Sequence, residues 1–185
     1  GFDLKPRILV DFTRNRTEIQ QALRQLEFPT GFSEISTFDA LLDTLDQLQD
    51  VEGKRSIILV GTGRNTFGRA TWDQTIKRVR QVDTGVRIFA LNMYWQIQHR
   101  IDIARAYGPP GAYASLAGDY QLAEAQLREL ASQTGGQAYS PRFVTQVPDI
   151  YEEIGALLRN QYSLAYRPRN FKRDGKYHKI EVKLM

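Results

Sequence analysis

The stretch IILVGTGRNTFGRATWDQ, residues 57–74, runs from four apolar residues through three glycines into a helix start. A strand that ends in a glycine-rich loop and feeds a helix turns backbone N–H groups toward whatever sits above a sheet. That form fits a phosphate cradle, a metal site or a plain turn, so the side chains decide. A phosphate loop needs a lysine and a hydroxyl directly after its second glycine; Gly63 and Gly68 have the spacing, but Arg69 and Ala70 follow. The dinucleotide fingerprint fails too, because Thr66 stands where its third glycine belongs and no acidic residue closes the next apolar run, 86–93. Nucleotide binding is therefore not expected.

Outward from this loop, apolar runs alternate with amphipathic ones. Residues 6–12 (PRILVDF) read as a short strand, and Asn15 with Glu18 as a capping box opening a helix that stops before Pro29. Ser36 reads as the cap of a second helix with Phe38, Leu41, Leu42, Leu45 and Leu48 as its stripe. Residues 56–61 and 86–93 are apolar at consecutive positions, the pattern of strands covered on both faces. Between them, Thr71 and Gln74 form a second capping box. The pattern is poor over 94–119, with a short helix near 97–106 and a break at GPPG. A helix through Leu122, Leu127 and Leu130 stops at Gly135-Gly136, a brief strand covers 137–140, and Pro148 sits in the first turn of a last helix. Residues 162–167 and 178–185 alternate across Asp174-Gly175, a hairpin signal. This spacing predicts an α/β fold: a Rossmann-like, mostly parallel sheet with helices on both faces over residues 1–161, and a C-terminal β-hairpin over 162–185.

The 185 residues carry a formal charge of +4, no cysteine and only two histidines. Thiolate zinc sites, disulfides and cysteine nucleophiles are excluded. His99 and His178 have no nucleophile elbow or paired histidine near them, and an enzyme is not expected. Asp39, Asp43, Asp46 and Asp50 lie opposite a leucine stripe and read as a solvated helix face. Seven Lys/Arg fall within 167–185, and no 18-residue apolar run is present to span a membrane. The chain opens on Gly1 without a signal-like start and reads as a processed or trimmed piece.

The succession PRILVDFTRNRTEIQQAL, GFSEISTFDALLDTLDQL, KRSIILVGTGRNT, RIFALNM, ASQTGGQAYSPR and NQYSLAYRPRNFKRDGKYHKIEVKL resembles the bacterial branch of the von Willebrand factor type A family over nearly the whole chain. The resemblance implies a metal-ion-dependent adhesion site on the upper sheet edge, built from Asp-x-Ser-x-Ser after a first strand, a Thr from a second loop and an Asp after the fourth strand. The family's first strand, first helix and Asp-x-Ser-x-Ser fall before Gly1. In the second loop Ile35 stands where the Thr belongs, with Ser36 and Thr37 displaced toward the helix, and Thr62 takes the place of the Asp. A hard cation without a carboxylate is poorly held, so the resemblance implies a degenerate site with no tight metal; a weak Mg2+ site would need Thr62 and a carboxylate from elsewhere.

The resulting expectation is a non-enzymatic interaction or surface-adhesion module, secreted or in the bacterial cell envelope or periplasm, that binds another protein or a surface polymer. The expected contact residues are Thr62, Arg64, Asn65 and Phe67 with Tyr94 and Trp95, since arginine and exposed aromatics dominate binding hot spots. Trp95 and Phe67 read equally well as covers for helix ends. Loss of the first strand would leave 56–61 with an open apolar edge, to be closed by an upstream segment or a second copy. The alternative is polyanion or nucleic-acid binding through the basic hairpin, with Tyr166, Phe171 and Tyr177 among the cations.

Overall fold

A computed structural model describes residues 1, 6–26, 35–81, 85–109 and 111–160 of the chain. In order these form α1 (Arg16–Arg24), α2 (Thr37–Gln47), β1 (Arg55–Gly61), α3 (Trp72–Gln81), β2 (Val86–Asn92), α4 (Trp95–Tyr107), α5 (Ala112–Gln133), β3 (Ala138–Tyr139) and α6 (Val147–Arg159), the last entered through a 3-10 turn at Val144–Gln146. The fold is α/β, as the alternation predicts. The predicted C-terminal hairpin lies outside the described residues.

The three strands are parallel in the order β1-β2-β3. β1 and β2 pair without interruption from Arg55↔Val86 to Gly61↔Asn92. Side chains alternate between faces, and the register puts Ile57, Leu59, Ile88 and Ala90 on one side. There they pack with Leu41 and Leu45 of α2, Ile76 and Val79 of α3, and Leu127 and Leu130 of α5. On the other face Phe89, Leu91 and Tyr139 meet Ile154 of α6, with Val147, Ile150 and Leu158 around them. β2 is therefore buried on both faces. β1 is not: Ile58 is 40% and Val60 36% exposed, because they share a face with Phe89 and Leu91 but lie beyond the cover of α6.

Three sequence expectations need correction. Residues 6–12 are not a strand: beyond an isolated bridge at Pro6 the segment is irregular. A β-branched run pairs only where a neighbouring strand offers a ladder, and among the described residues it has none. Double cover holds for β2 but fails for β1. The stretch 94–119 is largely helical, in α4 and the first turns of α5. Its alanine-rich sequence favours helix by propensity while lacking the apolar stripe by which a helix is read. Gly111, at φ 86°, makes the turn into α5.

Two glycine positions are fixed by close approach. Gly63 sits at φ 76°, and a Cβ there would fall 2.7 Å from Leu127 Cγ. At Gly136 a Cβ would lie 2.0 Å from the carbonyl oxygen of Ile88, so only glycine lets the chain leave α5 and run directly against β2.

Candidate functional site at the upper sheet edge

Parallel strands deliver their C-terminal ends to one edge, and the loops after β1 and β2 meet there. Met93 donates its N–H to the Gly61 carbonyl at 2.9 Å, tying the two exits together. The loop after β1 is then pinned to the start of α2. Thr66 donates its N–H to the Ile35 carbonyl at 2.8 Å, and the Thr66 hydroxyl accepts from Ile35 N–H at 2.9 Å. Ser36 and Asn65 form an antiparallel bridge. The Thr37 hydroxyl donates to the Arg64 carbonyl at 2.5 Å.

Asn65 is a structural residue here. Its Oδ1 accepts from Phe38 N–H at 3.1 Å and its Nδ2 donates to the Ala70 carbonyl at 3.3 Å. Ser36 holds the N-cap position of α2 but makes no side-chain cap bond, so the expected serine cap is replaced by Asn65, which accepts from Phe38 N–H across 27 residues of chain. Asp39 is likewise not a solvated carboxylate: its two oxygens accept from Arg69 N–H at 2.8 Å and Ala70 N–H at 2.9 Å. Asp46 does face solvent, pairing with Arg78 at 2.6 Å. The Thr71–Gln74 capping box forms in both directions, at 2.9 and 3.3 Å.

Arg64 leaves this framework and lies 5.0 Å from the Tyr120 ring centroid, with its Nη2 3.4 Å from Asp119. Tyr94 meets Tyr120 edge-on at 5.5 Å between centroids. The Tyr94 N–H is anchored on Oδ1 of Asn92, a 97% buried amide at the end of β2. The fold thus gathers Arg64, Tyr94, Asp119 and Tyr120 into one polar-aromatic patch. Phe67, on the same loop as Arg64, is 59% exposed. Thr62 and Trp95 turn inward, and the Thr62 hydroxyl oxygen and the Trp95 indole nitrogen are buried without hydrogen-bond partners.

Of the six expected contact residues, Arg64 and Tyr94 meet at Tyr120, the Arg64 side chain only 16% exposed, and Phe67 is exposed on the same loop; Asn65 serves the fold, and Thr62 and Trp95 present buried polar atoms. Asp119 and Tyr120 are absent from the sequence reading, since they lie 55 and 56 residues beyond Arg64 on a helix whose pattern is hard to read. Of the four positions expected to hold a degenerate metal site, Ile35, Ser36 and Thr37 meet residues 64–66 of the loop after β1, and Thr62 opens that loop with its hydroxyl oxygen buried. Their donors are neutral, and the neighbouring Asp39 carboxylate is engaged by two backbone N–H groups. These residues do not fit a hard cation, which takes carboxylate-rich oxygen sets. Among the described residues no group of three or more His, Cys, Asp or Glu side chains could hold a metal ion. His99 lies on α4; His178 and the basic hairpin lie outside the described residues.

No family model matches the chain, and no curated protein matches it. Among solved structures it matches an uncharacterized membrane spanning protein from Vibrio fischeri, at 18% identity and a TM-score of 0.37, over 78% of this chain and 67% of that one. The expected secreted, envelope or periplasmic placement is corrected at this point: the matched structure is described as membrane spanning, and the placement is withdrawn. Among the described residues no helix is long and apolar enough to cross a membrane.

Proposed function

We propose that this chain is a non-enzymatic protein-binding module of von Willebrand A type that engages its partner through the loops at the upper sheet edge. One observation carries the reading: Phe67 projects from a loop held by at least five hydrogen bonds to the start of α2, the same loop whose Arg64 lies over the Tyr120 ring. A large apolar side chain on a rigid support loses little entropy on binding, and arginine and tyrosine are the residues most enriched where binding energy concentrates. The reading gives no role to a divalent cation, because the oxygens around Thr62 are neutral or already engaged.

A photo-crosslinking residue placed at position 67 and, as a control, at Lys77 on exposed α3 surface tests it in the native host. Capture of the same protein from position 67 but not from 77, lost on Arg64→Ala, is the expected result. Equal capture from both positions overturns the proposal. A rise in melting temperature on adding Mg2+ or Mn2+ would overturn the metal-free part, because a ligand that binds the folded state stabilises it.

A further inference from the structure

Tyr120 ties both ends of a helical excursion to the loop after β1. The chain leaves the sheet at the end of β2, runs out through α4, turns at Gly111 and comes back along α5. Where it leaves and where it returns, the Tyr94 and Tyr120 rings meet edge-on at 5.5 Å. Arg64 lies 5.0 Å from the Tyr120 ring centroid, and its Nη2 is 3.4 Å from Asp119.

Beyond that base, little joins the excursion to the core. Along the described side chains of α5, burial begins at Ala123 and continues through Leu127, Leu130 and Ala131. On that side the fit is close, since Gly63 packs against Leu127 and the Ala123 carbonyl. On the other side it is loose. α4 packs on α5, and of its described side chains Ile101 is the buried one, in neither of the clusters that pack on the sheet. Ile103, Tyr107 and Leu122 are exposed. Gly118 weakens the first half of α5, where a side chain would meet nothing and an alanine would favour helix. The Trp95 indole nitrogen, at the first position of α4, is buried without a hydrogen-bond partner. A donor left so is costly, and water relieves it when the helix moves away.

We propose that α4 and the first turns of α5, through Leu122, are a cap that opens as one unit while the sheet stays folded, with Tyr120 between Arg64 and Tyr94 as its latch. Proteins open in contiguous units whose stability follows their buried contacts, and here the boundary in burial falls at Ala123. The latch is a cation over a ring and an edge-on aromatic pair. Both need the Tyr120 ring, so one residue holds the exit and the return together. The device stands on these contacts and not on the binding role of Phe67.

Amide hydrogen exchange on the 185-residue chain tests it. In the wild type the Ile101 amide of α4 should exchange with a weaker urea dependence than those of Ala90 and Leu127, because opening the cap exposes less surface than unfolding the sheet. Ile88→Val, a lost methylene in the core, should speed exchange at Leu127 about two- to tenfold and leave Ile101 unchanged, since the cap opens with that core intact. Arg64→Gln should speed Ile101 at least about threefold, while Tyr120→Phe, which keeps the ring, should leave it at the wild-type rate. Equal urea dependence at the three amides, or equal acceleration of Ile101 and Leu127 in Ile88→Val, overturns the cap. An Ile101 rate unmoved by Arg64→Gln overturns the latch.

Discussion

Asn65 shows how one side chain can be misread. In sequence it sits in a glycine-rich loop where a ligand-binding group is plausible; in the fold it caps α2 and braces Ala70. Asn65→Ala should therefore destabilise the protein by about 1 kcal/mol, the usual cost of a lost cap, read as a lower midpoint in urea. Partner capture through position 67 should fall only as far as the loop loosens. Tyr139 makes a different residue-scale prediction. Burial, reinforced by its hydrogen bond to Glu153 at 3.1 Å and that carboxylate's charge, pushes its hydroxyl up to about 12. Between pH 10 and 12 the unfolded chain gives up this proton and the folded one keeps it, so stability falls with rising pH across that window. Tyr139→Phe should flatten that part of a stability-against-pH curve, and an unchanged slope would refute the assignment.

At the scale of elements, the turns are where sequence chemistry and packing meet. Both glycine stops of the strand-turn-helix units were legible, yet for different reasons than a turn alone requires. Gly136→Ala should cost more than the roughly 1 kcal/mol of an ordinary glycine replacement, because its Cβ would fall on the Ile88 carbonyl. β3 has two residues and depends on that approach; the expected readout is faster amide exchange at Ala90, whose N–H donates to the Gln137 carbonyl at 2.9 Å. The Thr71–Gln74 box and the first-turn Pro148 could be read directly, since both act within one turn of their own helix. The Asn65 cap of α2 could not, because nothing local announces an acceptor that arrives from another loop. The first turns of α5 escaped for the opposite reason: alanine supplies propensity without a periodic signal.

For the whole molecule the decisive asymmetry lies between the two faces of a small sheet. Phe89 is 2% exposed and joins β2 to α6. Phe89→Ala should cost about 3–5 kcal/mol, the range for emptying an aromatic site in a core, with the denaturant midpoint lowered and the slope of the transition unchanged. The equivalent positions on β1, Ile58 and Val60, remain exposed, and replacing them tests coverage of the edge more than packing of the core.

Composition, alternation and glycine placement by themselves determined an α/β chain with parallel strands and a loop without the lysine and hydroxyl of a phosphate loop, because those features follow from local periodicity and from side chains that a motif either has or lacks. Which face each strand buries, that 6–12 stays irregular, that Asn65 and Asp39 serve the backbone, and that Arg64 meets Tyr120 were settled only by tertiary structure. Each of those depends on groups that are distant in sequence, and a contact between them has no local signature until the sheet brings the loops to one edge.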